Sequence, residues 1–515
     1  MIKESLIVTL LSLLASIVTF INQLVLARYF GAGKLMDIYL TASSLPILIS
    51  GLITAALSYS LTPHLIKIKV EKGEKEYNSY ARQMIIKLSV YTGTVCLTGI
   101  LLLSIFLNKI FPTIDNGNFV MAIQINILSW MAAFFFTLCA FNASYFNAAR
   151  NFKLPLLFNF LPYAGCIAVS ILFYQRLSII AIPLGLFTGS LVAFLISFYI
   201  IQKNFNAGSI QPTSKISIRS YFSKLPLICV AMLCFTVYQS IDAFWAPRLG
   251  SAALSYLGYC QRILVAVGTL VILGPSTVLI PRLTLAIAEN RNADFLKDTT
   301  TVIKIILALG SLFAVIGALL SEHIVRILFE RGAFTSSDTK GIASLLPYML
   351  TGMVFMLAVV MLFRVFFVKD MVPLVVSMGL ISVLVYFAFS GVAIIVGSLN
   401  AIGGAYIITW FTLFAISMFW LYKNDVSVFI CRKTLIFFLK QIIILMLVGL
   451  FTYFIQKISS SFFVDRFYNS LTVLFISGTG AILFYLLLTL KVFKQEEVLL
   501  LMRPILIKAR LQKNA

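Results

Sequence analysis

Of the 515 residues, 61% are hydrophobic and only 11% are charged, with a mean hydropathy of +1.02. A water-soluble domain carries roughly a quarter charged residues, so solubility is excluded, and disorder and a disulfide scaffold go with it. The net charge of +22 would suggest nucleic acid in a soluble chain; in a membrane chain it points first to basic loops gathered on one face.

At about 20 residues per crossing, the apolar pattern predicts an all-α polytopic membrane protein. Fourteen helices are expected, over 5–28, 36–66, 84–108, 119–145, 154–174, 178–201, 219–246, 252–286, 300–320, 340–366, 370–391, 395–421, 437–456 and 467–492. A β-barrel would need short segments of alternating polarity, whereas long charge-free runs such as Leu177 to Ile201 recur. The first run follows Lys3 like a signal peptide, but Gln23 and Arg28 come next without a small-residue cleavage site, so it is read as a span.

Charge sets the orientation. Of the 40 Lys and Arg, 29 fall on the side holding both termini and 10 on the other, leaving Arg262 alone deep in a helix. This bias predicts cytoplasmic termini and an even number of spans. The basic stretches Lys67 to Lys87 and Lys203 to Lys224 read as topology signals that touch anionic membrane lipids. Outer loops are short, the longest running from Ser321 to Thr339, which leaves a glycan polymerase or ligase no room for an outer active site.

The seven cysteines lie in or beside apolar runs without a CxxC pair, so they read as buried small hydrophobes. His64 and His323 lack metal-site company and read as incidental. No metal or cofactor is expected. No GxxxxGK[ST] loop appears, so energy is expected from a coupling ion or the membrane potential, which acts on a moving charge at roughly 2.3 kcal/mol per 100 mV.

The chain also repeats itself. Leu26-Ala-Arg28-Tyr-Phe-Gly31-Ala-Gly33 leads into a helix ending Leu61-Thr-Pro63-His64-Leu65. Ala246-Pro-Arg248-Leu-Gly250-Ser-Ala leads into another ending Leu279-Ile-Pro281-Arg282-Leu283. With the span count, this predicts two pseudo-symmetric six-helix bundles, 1–201 and 202–421, plus a C-terminal helix pair and basic tail over 422–515.

Several side chains stand out. Arg262 lies on the order of 15 Å into its helix, where a guanidinium must face a cavity, a partner or a substrate. Its planar fork suits phosphate, and an ion pair with Asp242 is the competing reading. Asp242, beside Gln239, could hold a driving cation or proton, or simply orient Arg262. Asp37 opens the second helix, where the helix dipole favours a carboxylate; capping and pairing with Arg28 or Lys34 is expected first, gating of the outer mouth second. Asn22 and Gln23 offer neutral hydrogen bonds to sugar hydroxyls or to neighbouring helices. Gly274-Pro275 interrupts a long helix and reads as a kink or hinge.

These stretches, in this order, resemble the murein lipid flippase family, MurJ/MviN, within the multidrug/oligosaccharidyl-lipid/polysaccharide exporter superfamily. The resemblance rests on Ala27-Arg-Tyr-Phe-Gly-Ala-Gly33 with Asp37, Leu45-Pro46, and Pro63 closing the second helix. Gln261-Arg262, Val278-Leu-Ile-Pro-Arg-Leu283, and Leu328-Phe-Glu-Arg-Gly-Ala-Phe-Thr335 with Asp338 continue it. It implies a fourteen-helix, non-enzymatic flippase of the bacterial inner membrane that moves undecaprenyl-pyrophosphate-linked saccharide, typically lipid II, by alternating access. It also implies a cationic cavity for pyrophosphate, with Arg262 contacting it, and a groove for the lipid tail on the last two helices. The chain departs from the family pattern at Asn22 and Gln23, at Ser50-Gly51 where the family has an arginine pair, and at Thr54-Ala-Ala-Leu57. Arg262, Asn22, Gln23 and Ser50 are thus the candidate substrate contacts, and Arg28, Asp37, Gln239 and Asp242 the candidate gating or ion-coupling set. Repeat units of O-antigen, capsule or exopolysaccharide are the alternative cargo, and cation-coupled export of small molecules a further one.

Overall fold

The computed structural model describes residues 2–110, 116–206, 229–230, 233, 236–288, 292–368, 371–423, 432–459 and 465–493. No strand occurs among them. The reason is solvent: hydrocarbon offers a backbone N–H no partner, so an apolar run must bond to itself as a helix. The helices are α1 Ile2–Phe30, α2 Lys34–Ile110, α3 Phe119–Ala148, α4 Lys153–Leu177, α5 Ala181–Asn206, α6 Tyr238–Trp245 and α7 Ala253–Ala288. There follow α8 Asn292–Leu319, α9 Ser321–Phe329, α10 Ser336–Val368, α11 Val372–Val396, α12 Leu399–Lys423, α13 Arg432–Ser459 and α14 Arg466–Leu487.

Among the described residues, 11 helices are long and apolar enough to cross a membrane. The stretch Lys153–Lys203 counts once there although it holds two expected spans, Leu14–Phe30 falls below the length required, and of 219–246 chiefly α6 is described. These three account for the difference from fourteen, and the chain is a multi-pass membrane protein.

α2 holds two expected spans in one 77-residue helix whose non-helical point is Gly73, at φ 84 and ψ 179. Pro63 therefore does not close the second helix. A proline costs one backbone bond and a local kink, and the helix continues to a glycine that can adopt positive φ.

Contacts divide the chain into two compact units: 1–258 with 331–335, and 259–330 with 336–515. In the first, α2 folds back on itself and against α3, burying Leu57, Leu61 and Leu65 with Tyr77, Met84 and Phe141. Tyr77 stacks on Tyr145 at 4.9 Å and donates to its carbonyl oxygen at 2.6 Å, while Tyr145 Oη donates to Asn78 Oδ1 at 2.8 Å. His64 Nε2 lies 3.0 Å from the Tyr80 hydroxyl in the same layer. Asn142 Nδ2 donates to Ser197 Oγ at 2.7 Å, joining α3 to α5. α4 and α5 approach through Gly165 and the pair Gly185-Leu-Phe-Thr-Gly189. A Cβ on Gly185 would lie 2.6 Å from Cys166 Cα, and one on Gly189 2.6 Å from the Leu161 oxygen. Small residues let membrane helices touch backbone to backbone, where dispersion replaces the missing hydrophobic drive.

In the second unit α10 is the central helix, with Met349, Met353, Leu357, Leu362 and Phe366 buried. The C-terminal pair packs on α8 through Leu312, Ile316, Ile444, Val448 and Val473. Gln441 fixes the register: its Nε2 lies 3.3 Å from each of the Ala308 carbonyl, Ser311 Oγ and Tyr485 Oη.

The stretch Ser321 to Thr339, expected as the longest outer loop, contains α9, and His323 is not incidental there. Its Nδ1 lies 3.1 Å from Ser470 Oγ on α14, and its Nε2 lies 3.4 Å from Gln456 Nε2 on α13. Arg326 also donates to Ser470 Oγ, at 3.0 Å, and pairs with Glu322 at 2.5 Å and Glu330 at 3.3 Å. Glu330 accepts from Thr339 Oγ1 at 2.7 Å, tying α9 to α10.

Two predictions follow from this packing. Gly185→Val forces a branched side chain into the α4 backbone and should cost about 1–3 kcal/mol, read as a lower unfolding temperature in detergent. Burial, and then the Arg326 charge, hold the His323 pKa below its ordinary 6.5, with Glu322 opposing. The folded state therefore favours the neutral ring, and this contribution is lost as pH falls through 6.5. Thermal stability measured from pH 7.5 down to 5.5 should fall more steeply in the wild type than in His323→Gln.

Candidate functional site

The chain leaves α1 through a turn at Gly31, at φ 62. The Arg28 carbonyl oxygen accepts a hydrogen bond from Ala333 N at 2.9 Å, so residues 331–335 close over the turn within the first unit. Gly332, at φ 65, lies against the Arg28 carbonyl oxygen, and a Cβ on Gly31 would come 2.5 Å from the Ala333 oxygen. Any side chain at either glycine would collide and would also be strained by positive φ.

Asp37, in the first turn of α2 and 7% exposed, completes this clasp. Its Oδ1 accepts from Ser255 N at 2.7 Å and from Ser255 Oγ, and the Ala252 amide also bonds to the carboxylate. Capping is thus real, but it acts on α7, at the start of the second repeat copy. The partners are Ser255 and Ala252 in place of the expected Arg28 or Lys34, because the turn at Gly31 carries Arg28 to the exposed surface while the start of α7 brings its free N–H groups to Asp37. Ser255 lies 218 positions from Asp37, and no sequence signal announces it.

The other candidates are dispersed. Asn22 is 3% exposed on α1, and neither its Oδ1 nor Gln23 Oε1 has a hydrogen-bond partner among the described residues. Ser50 spends its hydroxyl on its own helix, donating to the Ile47 oxygen at 3.1 Å. Asp242 is buried on α6 and Gln239 half-buried beside it. These all belong to the first unit. Arg262 belongs to the second, where its guanidinium carbon stands 4.7 Å above the centre of the Tyr259 ring. Tyr259 is one helical turn earlier, a spacing that the sequence could have offered. Tyr259 also engages the guanidinium through its hydroxyl, and of the fork's nitrogens it is Nη1 that is buried without a hydrogen-bond partner among the described residues. A buried cationic donor without an acceptor is costly in hydrocarbon and suits a phosphoryl oxygen. Gly274 and Pro275 lie within α7, but their side chains, and with them the hinge reading, fall outside the described residues.

A sequence model described as "Lipid II flippase MurJ" matches residues 26–473. The chain belongs to the MurJ lipid II flippase family. The resemblance read from its motifs is borne out, and membership makes it a transporter rather than an enzyme. A probable lipid II flippase MurJ of Buchnera aphidicola subsp. Schizaphis graminum is 23% identical over 510 residues, covering 92% of this chain and 94% of the relative. Among solved structures, a lipid II flippase MurJ in an inward closed conformation is similar with a TM-score of 0.71 at 18% identity, over 94% of this chain and 99% of that one. An inward-facing multidrug resistance MATE family transporter of the MOP superfamily is similar with a TM-score of 0.57 at 14% identity, over 79% and 100%. These two likenesses establish the fold, an all-helical MurJ- and MATE-like transporter.

Within such a fold the Asp37 clasp and the Arg262 fork make different demands on their residues. Asp37→Ala should destabilise the start of α7 by about 1 kcal/mol, whereas Asp37→Asn keeps an acceptor and should retain most of the stability, both read by thermal unfolding. If the charge itself gates transport, Asp37→Asn should instead abolish flipping at wild-type stability.

Proposed function

We propose that this protein translocates undecaprenyl-pyrophosphate-linked saccharide, and specifically the peptidoglycan precursor lipid II, across the bacterial cytoplasmic membrane by alternating access. One observation carries the chemistry: a membrane-embedded arginine whose buried Nη1 has no acceptor among the described residues, in a chain matched by the lipid II flippase model over 26–473. Arg262 contacts the pyrophosphate through Nη1, while Tyr259 holds the guanidinium by its ring face and its hydroxyl. The buried, unpartnered oxygens of Asn22 and Gln23 accept from sugar or peptide groups where the family more usually carries charge. Two bundles of six helices, 1–201 and 202–421, divide the motion, and α13 and α14 carry the polyprenyl tail.

The excess of Lys and Arg on one side supports cytoplasmic termini, and the same basic loops contact anionic lipids. A net positive site that changes its access responds to the membrane potential, which supplies the drive, alone or with an ion held near Asp242. The replaced arginines favour a second cargo, the repeat units of O-antigen, capsule or exopolysaccharide.

Complementation of bacteria depleted of their essential lipid II flippase separates these readings. Wild type should restore growth, and Arg262→Ala at matched membrane levels should not. Loss of a charge-assisted hydrogen bond worth roughly 1.5–3 kcal/mol slows translocation about ten- to a hundredfold. A well-expressed wild type that fails to rescue turns the assignment to the second cargo.

A further inference from the structure

A cleft of about 340 Å³ lies inside the first unit, between α2, α3 and α4. Thr54 and Ser58 of α2, Asn147 of α3 and Asn159 of α4 form its polar wall, and the rings of Phe136 and Phe152 face the same space. Among the described residues no charged side chain lines it. Ser58 Oγ donates along its own helix to the Thr54 oxygen at 2.9 Å. The side-chain amides of Asn147 and Asn159 have no hydrogen-bond partner among the described residues.

The lining identifies the class of ligand. A pyrophosphate would call for cations and a cationic drug for an acid, and neither charge is present. The rest of the lining is apolar, but a polyprenyl tail alone would leave the two carboxamides unpaired. Carboxamides donate and accept at once, which matches neighbouring sugar hydroxyls, and aromatic rings cover the C–H face of a pyranose. The volume is at the low end of ligand pockets, roughly 300–1,000 Å³, so it fits a sugar ring rather than an entire head group.

Depth points the same way. Asn147 is in the last turn of α3 and Phe152 stands just before α4, while Pro162, at the far end of the lining, is about 14 Å further along α4. On the topology proposed above, the near end is cytoplasmic, the side from which the head group is taken.

We propose that this cleft binds a sugar ring of the lipid-linked saccharide as it enters from the cytoplasm, so that the transporter distinguishes saccharide-bearing carriers from the bare lipid pyrophosphate. The inference rests on the flippase reading and adds a subsite for selection to the pyrophosphate contact at Arg262.

The test uses the full chain in lipid nanodiscs and compares binding of lipid II with that of undecaprenyl pyrophosphate. Wild type should prefer lipid II. The double variant Asn147→Leu/Asn159→Leu should lose about tenfold in lipid II affinity, two hydrogen bonds at ~0.5–1.5 kcal/mol each, while undecaprenyl pyrophosphate binds as before. Arg262→Ala should weaken both lipids. A second measurement spares the amides: maleimide labelling of Ser58→Cys should be slowed by lipid II and unaffected by undecaprenyl pyrophosphate. A normally folded double variant that keeps the wild-type preference, or labelling slowed equally by the two lipids, overturns the cleft while leaving the flippase reading intact. A wild type that binds neither lipid overturns both.

Discussion

Hydrocarbon has no water with which to satisfy a stray hydrogen-bonding group, and the molecule is organised by that lack. Backbone groups turn inward as helices. Hydroxyls follow: Ser43 donates to the Tyr39 oxygen at 2.6 Å, Thr92 to Leu88 at 2.7 Å and Thr409 to Ala405 at 2.8 Å, each one turn back on its own helix. The polar side chains that remain tie helices together, as Asn142 and Gln441 do. Several buried polar atoms lack a partner among the described residues, and Arg262 Nη1 differs from the rest in carrying part of a positive charge.

The residues most diagnostic of the family and those proposed to meet the cargo are different sets. Gly31, Asp37 and the Arg331–Thr335 stretch build one clasp, in which two glycines allow backbones to touch and one carboxylate seats the start of a distant helix. Their identities are constrained by backbone geometry, which does not change with the glycan carried. Asn22, Gln23 and Thr54, the proposed lining, are positions where the chain leaves the family pattern. A common frame with an altered lining is how one architecture serves more than one polar head group.

Legibility in the sequence followed the range of each interaction. Span positions were readable because hydropathy is local, and the same holds for the stacking of Tyr259 on Arg262, one turn apart. The partner of Asp37 was not, since Ser255 is brought to it only by the tertiary fold. Pro63 misled because proline usually ends helices in soluble proteins, while here the chain holds its course to Gly73. His323 looked idle for want of a metal, whereas its partners are the neutral Ser470 and Gln456 on helices over a hundred residues later. The wall formed by Asn147 and Asn159 escaped notice because each amide is an isolated polar residue on its own helix.

The clasp has a bearing on how the protein is made. Residues 331–335 belong to the first unit although they follow 72 residues, 259–330, of the second. As the ribosome delivers the chain in order, α1 and the first turn of α2 must wait in the bilayer, with the Arg28 carbonyl uncovered, until Ala333 arrives. The turn at Gly31 is thus covered only once 333 of the 515 residues have been made, so the last piece of the first unit is supplied by a late part of the chain.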